Sequence, residues 1–149
     1  MMFKTHLMFG FFLGLFGIQY LHPSNQVLFI IIAMFCSALP DIDHPDSKIG
    51  KNVKIIAFLF EHRGFFHSIW AVLLVFFLFS LTLGKVYVFA ALIGYISHLL
   101  ADAMTKEGIK VFHPFSKYAI RGFIRTGTLG ELIVFLVVSV FSVYKLVNL

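Results

Sequence analysis

Five apolar runs, at residues 7–21, 27–39, 65–83, 86–100 and 129–147, dominate the chain and are separated by short polar connections. Helices that are hydrophobic all round belong in a core or a membrane, and about 20 apolar residues match the hydrocarbon thickness of a bilayer. Within lipid the backbone must satisfy its own hydrogen bonds, which restricts runs of this length to helices. Composition agrees: 60% of residues are hydrophobic, 17% aromatic and only 13% charged, too few charges to cover a water-facing domain of 149 residues. The expected architecture is therefore an all-α membrane protein, a single domain over residues 1–149. It is a bundle of about five transmembrane helices with interfacial helices on the cytoplasmic side. The run at 27–39 has thirteen residues, which gives about 20 Å of helix against a hydrocarbon core of about 30 Å. Either that helix starts nearer Ser24 or its acidic end lies inside the membrane boundary.

Local signals refine this outline. Gly10, Gly14 and Gly17 put small residues along one side of the first run, which suits close helix packing in a membrane. His6 sits one turn before Gly10 and faces the same neighbours. No small-residue cleavage site follows the first run, so it is expected to be a retained helix and not a signal peptide. Pro40 and Pro45 stop the second helix and hold the residues between them in a non-helical shape. Residues 55–60, apolar within the basic connection 48–63, are expected to form a short interfacial helix. Cys36 is the single cysteine, so no disulfide forms within the chain, and its apolar setting points to a packed thiol.

The net charge of +5 sets topology and is no sign of nucleic acid. With the N-terminus inside, Lys4, Lys48, Lys51, Lys54, Arg63, Lys106, Lys110, Lys117, Arg121 and Arg125 are cytoplasmic, and Lys85 and Lys145 are outside. The same threading brings every acidic residue to the cytoplasmic face, together with His6, His62, His67 and His98. His22 falls on the opposite face, and His113, beside Pro114, is an ordinary loop histidine. Lys117, Arg121 and Arg125, spaced by four, are expected to form a basic amphipathic helix at the membrane surface, for topology or for anionic head groups of membrane lipid.

Residues 39–46 crowd three carboxylates and an imidazole beside an apolar span. Desolvating Asp41, Asp43 and His44 without compensation costs several kcal/mol per charge, and a bound divalent cation removes that cost. Asp46 is the member of the group expected at the surface or as a helix cap. His98 and Asp102 are four apart and point the same way on a helix. They can bind one metal, or the carboxylate can orient the imidazole. His67 is the better ligand of the pair flanking the turn into the third span, whereas His62 is a ligand or a general acid. Arg63, between them, can hold a phosphate or pair with an acid. Glu131, one turn inside the fifth span, is expected to be a ligand or base, and so is His6. Imidazole mixed with carboxylate suits Zn2+, with Mn2+ or Fe2+ as alternatives.

Several motifs in this order carry a resemblance. They are His6, Pro-Asp-Ile-Asp-His-Pro at 40–45, His-Arg-Gly-Phe-Phe-His-Ser at 62–68, Gly-Tyr-Ile-Ser-His-Leu-Leu-Ala-Asp-Ala-Met-Thr at 94–105 and Thr-Gly-Thr-Leu-Gly-Glu at 126–131. Together they resemble the YdjM-like family of inner-membrane proteins, predicted to be metal-dependent hydrolases. A looser likeness is to zinc-dependent phospholipase C and its nuclease relatives, helical enzymes that would make Asp41, His67, His98, Asp102 and Glu131 ligands. The residues and these likenesses together lead to the expectation of a site of two or three ions at the cytoplasmic edge, with Asp43, His62 and Arg63 in catalytic roles, and hydrolysis of a phosphoester in a lipid or lipid-linked substrate. An intramembrane metalloprotease would show His-Glu-x-x-His, which is absent. A metal transporter would need polar residues at mid-depth. A non-catalytic metal-binding protein or scaffold is the remaining alternative.

Overall fold

The computed structural model describes residues 1–45, 47–59 and 61–149, with the backbone alone at Asn52, Lys54, Ile56 and Ala57. The surface or capping role of Asp46 and the far end of the 55–60 helix lie outside the described residues. The elements are α1 (Phe3–Leu21), α2 (Gln26–Cys36), α3 (Lys54–Leu59), α4 (Ile69–Ser80), α5 (Lys85–Ala103) and α6 (Leu129–Val147). Tight 3-10 turns occupy Leu39–Asp43, Gly50–Asn52 and Phe65–His67. The described residues hold no extended strand, only two isolated bridges. The chain is an all-α membrane protein. Three segments are long and apolar enough to cross a membrane by length and composition: Gln26–Asp43, α5 and α6.

Helices α1, α2 and α5 pack on one another, with α4 against α5 and α6 against α1. The α1–α2 contact depends on missing side chains: a Cβ on Gly10 would stand 2.6 Å from Ser37 Oγ, and one on Gly14 would stand 2.9 Å from Ile30 Cδ1. Leu15, Ile18, Phe29 and Ala90 fill one core, and Cys36, Ala71, Val72, Val75, Ala91 and Tyr95 a second. Outward faces stay apolar, with Leu136, Val140 and Phe141 of α6 exposed, as a lipid-facing helix requires.

The second and third spans differ from the sequence expectation. Asn25 caps α2 by accepting from Leu28 N at 2.9 Å, so the helix begins at Gln26. Its far end gives way near Pro40 to a 3-10 turn, pinned where Ser47 Oγ donates to Asp41 O at 2.6 Å. The acidic stretch is thus a tight helical turn and not an irregular loop. The third span is also shorter than 65–83: Phe65–His67 form their own turn, Ser68 is extended, and α4 keeps twelve residues. That is about 18 Å of helix. On α3, Ile55, Phe58 and Leu59 are exposed, consistent with an interfacial helix.

The basic helix expected around Lys117, Arg121 and Arg125 does not form. Residues 104–124 fold as an extended strap paired with itself: Ile109 N donates to Ile120 O, Ile120 N to Ile109 O, Gly122 N to Thr105 O and Ile124 N to Met104 O. Gly108 takes φ +70°, and a Cβ on Gly122 would stand 2.2 Å from Met104 O. Spacing by four is incidental in a chain that is not helical there.

Glu131 ties the turn before α6 to the start of α1. Its Oε1 accepts from Met2 N at 2.5 Å and Thr5 Oγ1 at 2.8 Å, and its Oε2 accepts from Gly127 N at 2.7 Å. Glu131→Ala leaves those three donors without their partner, and hydrogen bonds to charged groups contribute about 1.5–3 kcal/mol each. We expect a loss of about 3 kcal/mol or more in thermal unfolding of the solubilised protein, with Glu131→Gln intermediate. A variant as stable as the parent would show that the clamp is dispensable.

A candidate metal centre at one end of the bundle

Helix ends and turns meet at one end of the bundle, and each delivers a polar side chain. His6 comes from α1, Asp41 and Asp43 from the 3-10 turn after α2, His67 from the turn before α4, and His98 and Asp102 from the last turns of α5. His6, Asp43, His67 and His98 are fully buried, and Asp102 is 1% exposed.

Hydrogen bonding assigns the imidazole protons. His98 Nδ1 lies 2.8 Å from Ser37 O, a carbonyl that can only accept, so Nδ1 carries the proton and Nε2 the lone pair. His67 Nδ1 lies 3.2 Å from Asp43 Oδ2, which fixes the same tautomer. The two lone-pair nitrogens then face each other at 3.2 Å. Around them stand Asp102 Oδ2, 3.6 Å from His67 Nε2, and Asp41 Oδ1, 3.7 Å from His98 Nε2. His6 stacks on His98 with ring centroids 3.6 Å apart, and neither of its ring nitrogens has a hydrogen-bond partner. Its Nε2 is 3.4 Å from Asp102 Oδ1.

This donor set fits a divalent metal. The two facing imidazole lone pairs repel unless a cation lies between them, whereas Asp102 is already balanced by Arg63 and the Met1 amine. Two nitrogens each about 2.0–2.1 Å from a tetrahedral zinc would be about 3.3 Å apart, close to the observed spacing. Two groups of donors meet the distance requirement, His6 with His98 and Asp102, and Asp41 with His67 and His98; within each, the atoms lie within 4.8 Å of one another. Two groups, sharing His98, are brought together among the described residues, and not three.

The other expected site residues have different placements. Asp43 is fully engaged in orienting its neighbours: Oδ1 bonds His62 Nδ1 at 2.9 Å, and Oδ2 accepts from Arg63 N at 3.1 Å besides holding His67. Arg63 pairs with an acid: Nη2 is 3.0 Å from Asp102 Oδ2, while Nη1 donates to Thr105 Oγ1 at 3.0 Å and Gly108 O at 3.2 Å. The Met1 amine also contacts Asp102. Glu131, expected as a ligand or base, is not among the grouped donors: its carboxylate is held apart from them in the clamp described above. His44 packs edge-on against the His62 ring at a centroid distance of 4.4 Å. Both line an open cavity of about 290 Å³ with Asp41, Lys48, Arg63 and Thr126. His22 lies at the far end of α1, where it forms the exposed cap of that helix. His113 stands 3.4 Å from Glu61 Oε2, in a separate cluster where a hydrogen bond from Lys110 Nζ holds the Glu61 carboxyl below its usual range.

Sequence reasoning missed Ser37, whose carbonyl fixes the His98 tautomer, and Tyr95, whose hydroxyl donates to Phe66 O at 2.6 Å and steadies the turn bearing His67. A backbone carbonyl has no sequence signature. Tyr95 had one, as a hydroxyl one turn before His98 on the same helix.

The model of the family described as "YdjM inner membrane protein" matches residues 1–148. An uncharacterised protein of Bacillus subtilis, YvsG, is 32% identical over 147 residues, covering 95% of this chain and 91% of that protein. The inner membrane protein YdjM of Escherichia coli is 38% identical over 92 residues, covering 55% of this chain and 47% of its own length. The chain thus spans about half of that relative. No solved structure matches the chain.

Proposed function

Given that the chain belongs to the YdjM inner membrane protein family, we propose that it is a membrane-embedded metal-dependent hydrolase. The proposed substrate is a phosphoester of a lipid or lipid-linked molecule. The observation that carries this reading is the pair of facing Nε2 lone pairs of His67 and His98, 3.2 Å apart beside the buried Asp102 and the half-buried Asp41.

Each residue has a definite part. His67, His98, Asp41, Asp102 and His6 supply the donors. One imidazole nitrogen has one lone pair, so His98 Nε2 serves a single ion at a time. What a divalent ion, most simply Zn2+, supplies there is Lewis acidity that acidifies water and offsets charge on phosphoryl oxygens. Asp43 fixes the tautomers of His62 and His67 from its two oxygens. With Nδ1 donating to Asp43, His62 presents Nε2 as the group that exchanges a proton with substrate or water in the cavity. Lys48 on the cavity wall favours an anionic group. Arg63 closes the charge balance of Asp102 and holds the strap through Thr105 and Gly108. The ten-to-two distribution of basic residues supports a cytoplasmic face for this end of the bundle.

The test is turnover of phosphoesters in mixed micelles by purified protein. His62→Ala should lower kcat by about 10²–10⁴-fold, the usual contribution of a positioned acid or base, and leave metal content unchanged. Metal retained with no turnover of any phosphoester lipid would replace the enzyme with a metal-binding scaffold.

A further inference from the structure

A second depression, of about 420 Å³, lies between residues 104–128 and the first turns of α6. It shares no lining residue with the polar cavity. Its wall and floor are apolar, formed chiefly by Met104, Phe123, Ile133 and Val134, and its rim carries Lys106 and Arg125. Both rim side chains are exposed and make no ion pair among the described residues. Their backbones are fixed all the same: Lys106 N donates to Ile124 O at 2.9 Å, and Thr128 Oγ1 donates to Arg125 O at 2.6 Å.

Position decides what fits such a groove. Helix α6 is apolar enough to span a membrane, and only 11% of it is buried by the rest of the protein, so its flank faces lipid. Arg125 precedes its first turn and Lys106 lines the same groove, so a membrane spanned by α6 would put both cations near its head groups, with Ile133 and Val134 further along the helix. We propose that this groove is a binding site for one anionic phospholipid. Lys106 and Arg125 hold the phosphate, and an acyl chain lies along Phe123, Ile133 and Val134. The lipid is bound as a structural ligand, apart from the polar centre, so the inference stands or falls independently of the hydrolase reading.

Native mass spectrometry of detergent-solubilised protein with phosphatidylglycerol or phosphatidylcholine tests it. The parent should hold one phosphatidylglycerol in preference to phosphatidylcholine. A basic side chain near a lipid surface contributes about 1 kcal/mol, so Lys106→Gln with Arg125→Gln should weaken retention by about tenfold or more. Lys117→Gln with Arg121→Gln removes the same charge outside the groove and should change retention less than about twofold. Equal loss in both double variants would reduce the site to a diffuse field and overturn the proposal. So would equal retention of the two lipids, or displacement by glycerol phosphate at matched concentration, which would mark a site for a soluble anion.

Discussion

His98→Ala is expected to strip the protein of its metal. His98 is the one residue common to both donor groups, and its tautomer is set by a backbone carbonyl that no substitution can supply elsewhere. Without it, His6 keeps only Asp102, and Asp41 keeps only His67, so each group is left with two donors. Loss of a residue that merely orients a ligand lowers metal affinity about 10–100-fold, and loss of the shared ligand should exceed that. Asp43→Asn provides the graded comparison. It keeps the size of the side chain but faces an amide NH2 toward groups that now donate to Asp43. We therefore expect Asp43→Asn to fall within the 10–100-fold range, and His22→Ala, at the opposite end of α1, to bind as the parent does. Metal affinity measured by competition with a chelator checks the order. His98→Ala binding as tightly as His22→Ala would remove His98 from the centre.

Gly94→Ala should be the most damaging single change in the packing. A Cβ at Gly94 would stand 2.0 Å from Ala33 O and 2.8 Å from Ala33 C, both backbone atoms of α2 that no rotamer can move. Helices α2 and α5 must then separate, at a cost of about 1–3 kcal/mol or more. The same separation draws Ser37 O, just beyond α2, away from His98 Nδ1 one turn along α5 from Gly94. Stability and metal affinity should fall together. Gly130→Ala is the control: its Cβ meets nothing nearer than Thr128 Oγ1 at 3.7 Å, and alanine favours a helix by about 1 kcal/mol over glycine. Thermal unfolding of both variants reads the difference, and a Gly94→Ala protein as stable as the parent would mean that the helices are packed less closely.

His98 and Asp102, unlike Gly94, were legible in advance. The spacing of His98 and Asp102 needed only the helical period, and threading five apolar runs placed His6, Asp41, His67 and that pair on one face before any packing was known. Gly10 and Gly14 likewise marked the side of α1 that α2 approaches. The strap at 104–124 was not legible, because basic residues spaced by four look helical and Gly122 reveals its role only through the neighbour it touches, Met104. Nor was Glu131: a carboxylate one turn into an apolar span must find partners, but sequence does not distinguish a metal from three donors at the ends of α1 and α6. Arg63 was open for the same reason, until its distance to Asp102 showed which partner it takes.

The cluster of His6, Asp41, His67, His98 and Asp102 is expected to hold a divalent metal. Elemental analysis of protein purified without added metal tests it most directly. The expected result is at least one equivalent of zinc, or of manganese or iron, per chain, lost in His98→Ala and retained in His22→Ala. Parent protein that is folded and metal-free, and that takes up none of these ions on titration, would contradict the claim.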